Sequence, residues 1–130
     1  MPIIHVLEES AGRVLALRVS GGRSGGSSPA EVARRAEEIA SRHGALRLLV
    51  EVEGLGFLEA ASLRSQLPLA TRLARRVERV AVIGDQGWLR AALKSAPGGP
   101  TEVRHFPAAR ASDAREWLNT LHENDISATK

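Results

Sequence analysis

Asp85 and His105 are the residues of this sequence best suited to moving a proton. Asp85 closes the apolar run V80-A-V-I-G-D85, and Trp88 follows it. His105 lies in the segment T101-E-V-R-H-F106. If the two segments are neighbouring strands, these side chains stand at adjacent strand ends. A carboxylate beside an imidazole suits general acid–base chemistry. The pair also needs a nucleophile, and the chain has no Cys and no G-x-S-x-G elbow. The expectation is a non-enzymatic protein. The turn G84-D-Q-G-W88 then has two readings. In the favoured one, Asp85 caps the next helix by accepting its free N–H groups, and Trp88 packs against the sheet. In the other, Asp85, Trp88 and His105 form a ligand-binding lip at the carboxyl end of a parallel strand, where open α/β sheets hold their ligands.

Other chemistry finds less support. His5, His43, His105 and His122 show no H-x-x-x-H spacing. With Cys absent as well, no metal site is expected. The segment G21-G-R-S-G-G-S-S28 carries neither a dinucleotide nor a P-loop pattern and reads as a connector. No cofactor is expected. Arg64, Arg72, Arg75 and Arg79 fall opposite the apolar stripe of a predicted helix. They form either a solvated face or a surface for an acidic partner or an anionic membrane.

The bulk numbers narrow the class. A chain of 130 residues with 43% hydrophobic and 25% charged residues fits one soluble domain. The net charge is +3, and only Lys94 and Lys130 are lysines among 18 basic residues. Aromatic residues make up 3%, too few for base-stacking platforms, so nucleic acid is not an expected partner. The N-terminus MPIIHVLEES lacks a signal-peptide pattern, and no apolar run is long enough to cross a bilayer. A cytoplasmic location is expected.

The elements that must position these residues follow from periodicity. Strands are predicted at 3–7, 13–19, 46–52, 80–84 and 101–106. Ser28-Pro29-Ala30-Glu31 opens a helix that buries Val32, Ala36, Ile39 and Ala40 and stops at Gly44. A second helix is predicted within 59–76, with Leu63, Leu67, Ala70, Ala74 and Val77 as its inner stripe and Pro68 inside it. Residues 86–95 form a third helix. The fourth runs from Ala111 to about His122, with Trp117, Leu118 and Leu121 inward. The order β-β-α-β-α-β-α-β-α describes an α/β fold with a mixed, mainly parallel five-stranded sheet and about four helices. The first strand is its antiparallel member. The whole chain reads as one domain, with 123–130 as a frayed tail.

The segment L48-L-V-E-V-E-G-L-G-F-L-E-A-A-S-L63 resembles the signature of STAS domains, the fold of anti-sigma-factor antagonists. Glu51 matches the acidic strand position, Gly54 the turn and Phe57-Leu58 the apolar pair. Glu59 and Ala60 stand where that signature has Asp and Ser. The pieces V80-A-V-I-G-D-Q-G-W-L89 and E102-V-R-H-F-P107 resemble the SpoIIAA-like family of small bacterial proteins. The likeness implies a STAS-like fold related to that of CRAL-TRIO lipid carriers. In antagonist STAS domains the Ser accepts phosphate, which Ala60 cannot do. The resemblance therefore implies a non-catalytic interaction or regulatory module without a phosphoserine switch, with a homodimer among its allowed forms. The runner-up is a carrier of an apolar ligand or lipid.

Overall fold

The computed structural model describes residues 2–7, 12–21, 26–54, 56, 76–89 and 102–120. Five strands form one sheet in the order β1-β2-β3-β4-β5. They are β1 (Pro2–Val6), β2 (Val14–Gly21), β3 (Leu46–Glu53), β4 (Val77–Ile83) and β5 (Glu102–Phe106). The β1–β2 pair is antiparallel, and the three remaining pairs are parallel. Helix α1 (Pro29–His43) connects β2 to β3. A 3-10 turn (Ala108–Arg110) leads into α2 (Ala111–Asn119). The mixed, mainly parallel α/β sheet is as expected, and β1 is its antiparallel member.

Strand alternation sorts the core into two faces. Leu15, Leu17 and Val19 of β2 join Leu46 and Leu48 of β3 on one face, where they meet Val32, Ala36 and Ala40 of α1. Ala16, Leu49, Ala81 and Ile83 point the other way and meet Ala114 and Leu118 of α2. Each fully buried Leu or Val contributes about 1.5–3 kcal/mol relative to an exposed one. The sheet is thus a middle layer between two helices.

Local signals set the ends of α1. The Ser28 hydroxyl accepts the Glu31 N–H at 3.1 Å, and Pro29 occupies the first turn. Gly44 takes φ 77° and donates its N–H to the Ala40 carbonyl at 2.8 Å. A side chain resists that left-handed conformation, so glycine ends the helix here.

β4 begins earlier than predicted. Val77, Glu78 and Arg79 belong to the strand and not to a preceding helix. Val77 extends the predicted helix stripe at a spacing of three from Ala74, and a bulge follows it in the strand. Leu46 pairs with Val77 and Arg47 with Arg79, which leaves Glu78 as an extra residue. The bulge lets Val77 and Val80 share a face although they are three residues apart. α2 closes at Asn119, short of His122, with Thr120 as its cap. Residues 87–89 are helical, the described part of the helix predicted over 86–95. Of the helix predicted within 59–76 only Arg76 is described, as an exposed 3-10 residue; residues 59–75 lie outside the described residues, as do Leu121, His122 and the 123–130 tail. The expected four helices therefore reduce to α1, α2, the 3-10 turn and residues 87–89 among the described residues. No described helix is long and apolar enough to cross a membrane.

The outer edge of β1 is covered by the residues just before α1. Ser27 donates its N–H to the Ile4 carbonyl at 2.7 Å, and its hydroxyl accepts the Val6 N–H at 3.2 Å. Part of the segment read as a connector thus serves the sheet.

Candidate functional site

β2, β3 and β4 end on the same side of the sheet, next to the start of α2. A crevice of about 650 Å³ opens there, lined by Arg18, Glu51, Glu53, Gly84, Asp85 and Gln86 among others. Ligand sites of open parallel sheets lie at this position.

Glu51 is its central charge. Its side chain is 15% exposed. Oε2 accepts from Arg18 Nη2 at 3.1 Å and Nε at 3.3 Å, and Oε1 accepts from Arg115 Nη2 at 3.0 Å. Arg18 and Glu51 are direct cross-strand partners in the β2–β3 register, so alternation places both on the α2 face. Arg18 Nε also lies 3.5 Å from Glu53 Oε1. One carboxylate thus ties β2, β3 and α2 together. Both arginines are over a third exposed, so water screens each pair and its contribution is modest. With both oxygens engaged, Glu51 is poorly placed to act as a base.

Asp85 lines the crevice but caps a different helix from the one predicted. Its Oδ1 accepts the Ala108 N–H at 3.0 Å, across the gap between the β4 and β5 ends. Ala108 opens the 3-10 turn before α2, where free N–H groups need acceptors. Asp85→Ala is expected to cost about 1 kcal/mol, the usual loss for a removed cap, and urea unfolding measures it. An unchanged midpoint would refute the capping role.

His105 and Asp85 do not pair. His105 Nε2 lies 2.7 Å from the Gly84 carbonyl, and since a carbonyl only accepts, that nitrogen donates. The imidazole and the carboxylate are each held by backbone. Trp88 is half-buried at the start of the helical residues 87–89. Neither Trp88 nor His105 lines the crevice. A Cβ at Gly84 would meet the side-chain ends of Gln86 at 2.6 Å and Leu89 at 2.8 Å, which would have to shift, and the Val52 carbonyl oxygen at 3.3 Å. The turn is close-packed architecture, and Asp85 alone of the predicted lip reaches the opening.

Arg79 is not part of a basic surface. It is 6% exposed on β4, beside the 4%-exposed Arg47 on β3. Arg47 Nη1 donates to the Leu118 and Thr120 carbonyls, both at 2.6 Å, and Arg47 Nε donates to Glu78 Oε1 at 3.2 Å. Arg79 Nη1 donates to the Trp117 carbonyl and to Thr120 Oγ1, both at 2.7 Å. Its guanidinium also lies 5.2 Å from the Trp117 ring centre. The two arginines form a clamp on the end of α2, where free carbonyls and the negative dipole end favour cations. Arg64, Arg72 and Arg75 lie outside the described residues, as do Phe57, Leu58, Glu59 and Ala60.

Residue-type reasoning overlooked Arg18, Arg47 and Arg115. A charge inside the otherwise apolar run L46-R-L-L-V50 was the available signal, because a strand covered on both faces holds a charge only if it is paired. Among the described residues, no group of three His, Cys, Asp or Glu side chains could hold a metal ion.

A family model described as SpoIIAA-like matches residues 14–119. No curated protein and no solved structure matches the chain.

Proposed function

From the premise that this chain belongs to the SpoIIAA-like family, we propose that it is a non-catalytic regulatory module. It binds a protein partner over the rim of the crevice between the strand ends and α2. One observation carries this reading. Two carboxylates lining the crevice are engaged within the fold, Glu51 by Arg18 and Arg115 and Asp85 by the Ala108 N–H, and the nearby His105, outside the lining, is held by the Gly84 carbonyl. Groups held in this way shape a surface and leave little for proton transfer. With Ala at position 60, the association would not answer to phosphorylation there. The runner-up, an apolar-ligand carrier, calls for an apolar pocket. The crevice instead carries Arg18, Glu51, Glu53 and Asp85, which do not suit an acyl chain.

The test is capture of partners from the native cell with wild type and with Glu53→Arg. Glu53 is 60% exposed at the rim, so its reversal should leave the melting temperature nearly unchanged. A partner recovered at least tenfold less with the variant supports the reading. Equal recovery removes the rim as the contact. Native mass spectrometry of the purified protein checks the runner-up, which requires a co-purified lipid.

A further inference from the structure

β5 ends the sheet, and unlike β1 its edge has no described segment over it. Phe106 gives its carbonyl to the Gly84 N–H at 3.1 Å, so its backbone polar groups face β4. Residues alternate along an extended strand. Glu102 and Arg104 therefore face their backbone groups to β4 as well, and Val103 and His105 present theirs to the open edge. Val103 is also the exposed large apolar side chain of the described residues, at 41%.

We propose that β5 pairs antiparallel with β5 of a second copy, with Val103 opposite Val103 on a twofold axis. Three features of the short strand Glu102-Val103-Arg104 fit this one register. Val103 supplies an outward N–H and C=O, which two copies exchange as a hydrogen-bonded pair. Its side chain meets its own copy on the α1 side and loses exposed apolar surface. Glu102 of each copy falls opposite Arg104 of the other, on the α2 side, so both flanking pairs are attractive. Centring the pair on Arg104, a register shift of two residues, would place like charges face to face. The sequence is therefore self-complementary in charge, as an isologous contact requires. Neither charge must leave its present surroundings. Arg104 lies 4.9 Å from the Trp117 ring centre, and the Glu102 side chain is 45% exposed near Arg79. The outcome would be one continuous sheet across two chains. Five-residue strands bury less than the ~1,200 Å² at the low end of a standard interface, so this dimer would be weak and concentration-dependent.

Sedimentation velocity over a concentration series tests the proposal on the full chain with five samples. Wild type is expected to dimerise as concentration rises. Glu102→Arg alone and Arg104→Glu alone should each weaken association about tenfold or more, because the twofold axis counts every substitution twice. An equimolar mixture of the two variants should dimerise like wild type, since the all-basic strand meets the all-acidic one. The double variant Glu102→Arg/Arg104→Glu should also recover. Melting temperatures confirm that each sample is folded, and recovery in the mixture rules out misfolding as the cause of the losses. A wild type that stays monomeric overturns the proposal. So do single variants that dimerise normally, which would place the contact elsewhere, and a mixture that fails to recover.

Discussion

Arg47→Ala is expected to destabilise the fold by about 3–5 kcal/mol, the range for removing one partner of a buried charged network. The loss has three parts. The Leu118 and Thr120 carbonyls lose their 2.6 Å donors, and Glu78 loses its 3.2 Å contact. Arg47→Lys should cost much of the same, because an ammonium is a single point donor where the site uses a fork. The exposed pair Arg34–Glu38 is the control. It is an i,i+4 contact at 3.1 Å on α1, and Arg34→Ala should cost about 0.3–0.5 kcal/mol. Urea unfolding of the three variants gives the comparison. If Arg47→Ala costs no more than Arg34→Ala, the clamp does not hold α2. Arg79→Ala should combine non-additively with Arg47→Ala, because both side chains donate to the Thr120 carbonyl. Arg47 and Arg79 are also direct register partners, an arrangement that by itself repels. The carbonyls at the end of α2, Glu78 and the Trp117 ring offset that repulsion.

Leu49→Ala is expected to cost about 3–5 kcal/mol, the upper part of the range for Leu→Ala in a core. Leu49 is 1% exposed on the α2 face of β3. Its register partners on either side are Ala16 of β2 and Ala81 of β4. Ala114 of α2 belongs to the same cluster. Leu49 is thus the one large side chain in a row of small ones that lets α2 sit close to the sheet. Without it, three alanines line up across three hydrogen-bonded strands, and such a sheet does not collapse easily to fill the space. Thermal unfolding of Leu49→Ala beside Leu48→Ala on the opposite face is the measurement. A loss under about 1 kcal/mol would show that the site relaxes, contrary to the close packing described.

How much was legible in the sequence depends on the range of the interactions involved. Ser28-Pro29 and Gly44 are local signals, and they bound α1 as read. The alternation of L46-R-L-L-V-E-V52 gave β3 to within a residue. β4 failed at its start, because Val77 follows Ala74 at a spacing of three and so extends the apolar stripe of the predicted helix. Arg79 was misplaced for the same reason: assigned to a helix it looks exposed, and on the strand it is buried. The candidate site was legible only in part. Asp85 was found because a carboxylate after a strand is a local pattern. Its true acceptor role, toward Ala108, spans 23 residues and needs the fold. The Arg18–Glu51–Arg115 bridge joins three elements: a charge within each apolar strand shows that it is paired, and the partner is visible only in the fold.

The seal that Ser27 places on β1 bears on how far self-assembly can run. A sheet with two open edges can add a copy at each side, and nothing in such growth stops at a fixed number. Here one edge already has the Ile4 carbonyl and the Val6 N–H occupied by the chain itself. A molecule with one sticky edge can form a pair and then has nothing left to offer. Ser27 would then act as a chain terminator, keeping a five-stranded sheet from becoming the first layer of a fibre.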